Sequence, residues 1–188
     1  MAKTNIAEHF DEASQTRKDA SAVTVMAEGG RKLTFGELGV MTNRLAFGFR
    51  SSGISRGMKV LMMLRPGPEF MASVFAVFKL GAIPVLIDPG MGKANLLNCI
   101  RKTSPEAMIG VSKAHWIRLL FPGVFKSVKI SISHGSLPPP FTTGLERLLR
   151  RHEKDSHFKC EETKLDDTAA IVFTTGSTGP PKGVVYTH

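Results

Sequence analysis

At 188 residues, with 42% hydrophobic and 22% charged side chains, the chain has the composition of a folded globular protein and is too apolar to be disordered. The net charge of +9 invites a nucleic-acid or anionic-membrane reading, but residues 1–100 hold 12 basic and 8 acidic groups and residues 101–188 hold 13 and 8. An excess spread so evenly, with no basic tail, excludes nucleic acid as the expected partner and leaves only a general attraction for anionic substrates. The longest apolar candidate, Phe70 to Ile87, is broken by Lys79, Gly81 and Pro84, so no transmembrane segment is expected. The amino terminus lacks the apolar core of a signal peptide. Cys99 and Cys160 show no metal or redox spacing and read as reduced thiols of a cytoplasmic protein.

In chain order, Ile6, Phe10 and Ala13 recur at helical spacing within residues 5–17. Residues 22–27 and 32–34 read as a strand pair joined by the turn Glu28-Gly-Gly-Arg31. Thr34 and Glu37 form a capping-box pattern ahead of an apolar stripe at Leu38, Met41, Leu45 and Phe49. The pattern then alternates. Residues 58–64 form an apolar strand, Pro68 opens a helix through Lys79, and residues 82–87 form the next strand. Asp88, before Pro89 and Gly90, reads as a turn former in preference to a catalytic acid.

A helix is expected over residues 93–103, a strand over 107–111, a helix over 112–121 capped by Ser112, and a strand over 127–133. The proline-rich stretch 134–141 is the best candidate linker. Thr143 to Glu146 would cap a basic helix to His152, whose Arg147, Arg150, Arg151 and Lys154 read as a solvated face. Residues 153–166 read as polar and mobile. Strands alternating with helices imply an α/β fold, layered, with a mostly parallel sheet and flanking helices.

The last twenty residues carry most of the chemistry. An apolar strand, Ala169 to Phe173, opens into Thr174, Thr175, Gly176, Ser177, Thr178, Gly179, Pro180, Pro181, Lys182 and Gly183. Glycines allow close backbone approach, successive N–H groups can form an anion nest, hydroxyls donate, and Lys182 supplies a compact charge. Together these describe a phosphate site, and the competing reading is a flexible polar turn between strands. Lys182 lies between Pro181 and Gly183, so this is not a Walker loop, and the chain has no Gly-x-Gly-x-x-Gly fingerprint.

The stretch from Phe173 to His188 resembles the signature loop of the adenylate-forming superfamily of acyl-CoA synthetases, peptide-synthetase adenylation domains and luciferases. Residues 33–38 resemble its first core motif and residues 78–89 its second, in the same order. Within the superfamily, Arg65 to Phe70, Val77 to Lys93 and Lys182 to Tyr186 look most like the bacterial olefin-biosynthesis ligases, the β-lactone synthetases. The resemblance implies activation of a carboxylic acid, of fatty or β-hydroxy fatty type, by ATP and Mg2+. An acyl-adenylate and pyrophosphate would form, and a thioester (with coenzyme A) or a β-lactone would follow. Thr174, Thr175, Gly176, Ser177, Thr178, Gly179 and Lys182 would then line the loop over the ATP phosphates. Family enzymes are far longer than this chain. The resemblance therefore implies a partial N-terminal AMP-binding domain over residues 1–188, an incomplete portion of the adenylate-forming fold without its C-terminal domain, magnesium-binding acid or catalytic lysine. On that view His188 belongs to no completed site, and the last strand, without its successors, would present an unpaired edge. No catalytic residue or metal ligand is assigned, and the chain alone is expected to be inactive. The alternative is a non-catalytic remnant that at most binds nucleotide phosphates. Oligomeric state is left open.

Overall fold

Asn5 starts the first helix by a capping box: its carboxamide accepts from the Ala7 N–H at 3.0 Å while Glu8 accepts from the Asn5 N–H at 3.1 Å. The computed structural model describes residues 4–26, 31–135, 137–155, 157–174 and 181–188. Helix α1 (Ile6–Thr16) leads into a hairpin of β1 (Ser21–Val25) and β2 (Arg31–Thr34). The Thr34–Glu37 box then opens α2 (Phe35–Ser51) as its spacing predicts, with both reciprocal bonds made. Then follow β3 (Lys59–Met63), α3 (Pro68–Lys79), β4 (Ile83–Ile87), a 3-10 turn at Pro89–Met91, α4 (Lys93–Thr103) and β5 (Ala107–Val111). The chain continues through α5 (Ser112–Leu120), β6 (Ile130–His134), β7 (Thr143–Gly144), α6 (Leu145–Arg151), β8 (Thr168–Thr174) and β9 (Lys182–Thr187).

Among the described residues the central sheet has seven strands in the order β7-β6-β5-β3-β4-β8-β9, parallel throughout except for β9, which runs antiparallel to β8. The alternation of side chains along each strand divides the core in two. Val60, Met62, Ile109 and Ile132 face a layer containing Leu45, Phe49, Val77 and Leu148, from α2, α3 and α6. Leu61, Val85, Met108 and Phe173 face the opposite layer with Leu96 and Ile100 of α4 and Ala114 of α5. Helices on both faces explain why β3 to β5 read as unbroken apolar runs.

Four expectations change. The stretch 134–141 is no domain linker, since β6 and β7 on either side pair with each other in the same sheet. Ser112 does not cap α5: the capping position is Val111, with no side-chain bond, and the Ser112 hydroxyl lies 3.2 Å from that of Ser133. Thr143 and Glu146 do not cap α6, because Thr143 is committed to β7 and Glu146 accepts from the Gly135 N–H at 3.1 Å. The polar stretch before β8 is anchored. Phe158 is 1% exposed and stands edge-on to Phe47 at 4.9 Å under the Arg50 guanidinium at 4.4 Å. Its N–H donates to Asn43 at 3.3 Å, and the Glu161 N–H donates to the Lys79 carbonyl at 2.7 Å. One aromatic anchor without periodicity leaves no pattern for a sequence reading to detect.

Candidate phosphate site

Strand β8 is placed by its parallel pairing with β4, in which Val85, Leu86 and Ile87 face Ile171, Val172 and Phe173. Thr174 therefore ends at the carboxyl edge of the sheet, beside the turn that follows Ile87, where open α/β sheets place their ligands. Strand β9 returns in antiparallel register, with Lys182 opposite Thr174 and Gly183 opposite Phe173. The two outer residues of the predicted site thus face each other across the mouth of the hairpin, both exposed. Lys182 makes no ion pair with any described residue. Thr175, Gly176, Ser177, Thr178 and Gly179 lie outside the described residues.

Gly183 is fixed by packing. A Cβ at this position would stand 2.9 Å from Cζ of the buried Phe173 ring, closer than any ordinary carbon contact. The glycine after the lysine lets β9 lie flat over Phe173 and so holds Lys182 against Thr174. Asp88, on the neighbouring strand end, spends one carboxylate oxygen on the Gly90 N–H at 2.8 Å, as a turn former does. The pieces at this edge, a hydroxyl and an uncompensated ammonium, can bind an anion. Among the described residues no group of three carboxylate, imidazole or thiol side chains could hold a metal ion.

His188 sits at the other end of the hairpin, away from the Thr174–Lys182 mouth. Its Nδ1 accepts from the Ile6 N–H at 3.2 Å, its own N–H donates to the Asp167 carbonyl at 3.3 Å, and its ring lies edge-on to Phe78 at 6.3 Å. Burial pushes its pKa below the usual histidine value, which suits a neutral acceptor at a helix start. Asp167 beside it accepts from the Lys164 N–H at 3.0 Å and from Arg56 at 2.8 Å, and these donors hold its carboxyl below the usual range.

The sequence reading missed a buried charge. Lys79, with a fully buried side chain, lies 2.5 and 2.6 Å from the two carboxylate oxygens of Asp11 and donates to the Phe158 carbonyl at 3.2 Å. The Cys160 thiol lies 3.4 Å from the same carboxylate, and burial pushes its pKa up to about 12. Lys79 itself is fully buried, while Asp11 and Cys160 keep some contact with solvent, and the cluster reads as structural. A signal existed: Ala72, Phe75, Ala76 and Lys79 share one helical stripe, which places Lys79 on the inward face.

Comparison with known proteins agrees with this fold. The family described as AMP-binding enzyme matches residues 10–188. The chain is 36% identical over 197 aligned positions to an olefin beta-lactone synthetase of Xanthomonas campestris pv. campestris, covering 98% of this chain and 34% of that protein. It is 31% identical to a fatty acid–[acyl-carrier-protein] ligase of Mycobacterium marinum, covering 97% of this chain and 33% of that protein. The fold matches the crystal structure of an anthranilate CoA ligase in complex with anthranoyl-AMP at a TM-score of 0.86, with 18% identity over 100% of this chain and 35% of the other. The luciferase-like enzyme of Zophobas morio superposes at 0.84, with 20% identity over 98% of this chain and 43% of the other. The chain thus spans about a third of the length of the curated relatives it matches.

Proposed function

The chain belongs to the AMP-binding enzyme family, and from that premise we propose that its 174–182 loop binds the phosphates of ATP in a ligase that activates a carboxylic acid as its adenylate. The carboxylate oxygen would attack the α-phosphorus, and the bond to the departing pyrophosphate would break. Lys182, Thr174 and the N–H groups of the intervening loop would offset the charge that gathers on pyrophosphate. The observation that carries this reading is the β8–β9 register, which sets Lys182 opposite Thr174 at the carboxyl edge of the sheet. Among the described residues no cluster of acidic, imidazole or thiol side chains would hold Mg2+. Relatives named for olefin beta-lactones and for fatty acids favour a fatty or β-hydroxy fatty acid as substrate. Coenzyme A would enter only on the thioester route.

The test is titration of the chain with a fluorescent ATP analogue. Lys182→Ala removes a charge-assisted contact of about 1.5–3 kcal/mol, so affinity is expected to fall roughly 10- to 150-fold. Equal affinity of the variant and the parent would sink the assignment. The 188 residues alone are proposed not to catalyse carboxylate-dependent pyrophosphate–ATP exchange, and exchange by this chain would overturn that part. In a form of the protein that does support exchange, β-hydroxy acids and simple fatty acids, each with and without coenzyme A, separate lactone from thioester formation.

A further inference from the structure

We propose a second anion site, for an organic phosphate monoester, at the opposite edge and the opposite end of the sheet from the 174–182 loop. A cleft of about 510 Å3 lies where β6 begins, between the end of α2 and the face of α6. Lys129, Arg147 and Arg151 line it with Ser131, Thr143 and Phe141, and no carboxylate does. Arg147 and Arg151 stand four residues apart on α6 and so share one helical face, where like charges repel. None of the three cations makes an ion pair with any described residue. The acid nearest in sequence, Glu146, is held by the Gly135 N–H at 3.1 Å and by His134 at 2.7 Å. Asp155, further along, is held by His152 at 2.6 Å.

Three uncompensated cations converging on one concavity raise the local anion concentration, and a bound anion relieves their repulsion. Guanidinium forks match phosphate oxygens in geometry as well as charge. The hydroxyls of Ser51, Ser52 and Thr142 at the cleft wall already donate to backbone carbonyls, and Ser131, paired with Met108, turns its side chain to the α5 face of the sheet, so recognition falls on the cations and on the Thr143 hydroxyl. Phe141 stands at the rim of the same cleft. It is 91% exposed and holds a left-handed backbone at φ 61°, which is costly for a bulky side chain. A bare ring thus stands at the rim of a cationic cleft, an arrangement suited to a ligand with an apolar group beside its phosphate.

The experiment is an amide NMR titration of the chain with inorganic phosphate and with phenyl phosphate at constant ionic strength. Saturable shifts are expected at Lys129, Ser131, Thr143 and Arg147, with phenyl phosphate the tighter ligand. R147E/R151E should weaken binding at these amides at least tenfold, while K154E, on the same basic stretch but outside the cleft, should change it less than twofold. F141N, which tolerates the same backbone, should abolish the preference for phenyl phosphate. Shifts that never saturate, shifts confined to 182–187, or equal losses from K154E and R147E/R151E would each overturn the site. Should the double reversal fail to fold by circular dichroism, R147Q and K129Q read the same cleft with smaller charge changes. None of these outcomes depends on the 174–182 loop, so failure here and failure of the proposed function are separable.

Discussion

Replacing Asp11 by asparagine keeps the shape of the Lys79 contact and removes its charge. Lys79 is 0% exposed and Asp11 is 19% exposed, so the ammonium would be left with two neutral acceptors, the introduced carboxamide and the Phe158 carbonyl. Breaking a buried pair on one side costs about 3–5 kcal/mol. Because Asp11 keeps some contact with water, the lower end applies, about 3 kcal/mol. In a chain of this size each kcal/mol shifts Tm by about 2–4 °C, so Asp11→Asn should lower it by roughly 6–12 °C. Urea denaturation followed by circular dichroism gives the same quantity independently. The control is Lys79→Met with Asp11→Leu, which exchanges the whole pair for apolar volume and should return to within about 2 kcal/mol of the parent. A loss below about 1 kcal/mol for Asp11→Asn, together with strictly additive effects in the double variant, would refute the idea that Lys79 is charged and paired in the core.

Three further outcomes test the local chemistry. Asn5→Ala removes the α1 cap and the carboxamide donor that bonds the Phe78 and Glu161 carbonyls at 2.7 and 3.1 Å. The cap alone is worth about 1 kcal/mol and the orphaned carbonyls about 1–3 more, so a urea midpoint shift matching roughly 2–4 kcal/mol is expected. Gly183→Ala drives a Cβ towards the Phe173 ring and should cost about 1–3 kcal/mol while lowering the affinity for an ATP analogue, because β9 must lift from β8. His115 is fully buried with Nε2 donating to the Ile132 carbonyl at 2.9 Å, and burial pushes its pKa below the usual value. The unfolded chain takes up this proton below about pH 6.5, so the contribution is complete above that pH and is lost as pH falls through the folded pKa. His188 shifts in the same direction. Urea midpoints should therefore fall between pH 7.5 and 5, less so in His115→Phe, and a midpoint that rises on acidification would contradict the reading.

The parts of this molecule that could be read from sequence are those whose cause is local. The Thr34–Glu37 box and Pro68 at a helix start each depend on residues within four positions, and each stands where the pattern put it. The parallel sheet followed from apolar runs alternating with amphipathic helices, which is local information summed over the chain. Ser112 shows the limit. Its identity permits a cap, but a neighbouring strand offers Ser133 as another partner, and nothing near position 112 encodes that choice.

The two lysines make the same distinction within one residue type. Lys182 stands out because glycines and hydroxyls crowd around it in the sequence, and its role is exposure: a charge held at a strand end by the Thr174 register. Lys79 sits in a motif of its own, yet its partners are 68 and 79 residues away, at Asp11 and Phe158. In the proposed role Lys182 would present its charge to solvent and to a substrate, and its helpers would stand beside it in one loop. A buried charge must be neutralised by whatever the fold brings to it, so its helpers scatter along the chain. The stripe through Ala72, Phe75, Ala76 and Lys79 reveals that the lysine is inward, and an inward lysine demands an acid. Which acid is decided by the packing of α1 on α3, and Asp11→Asn measures that decision directly.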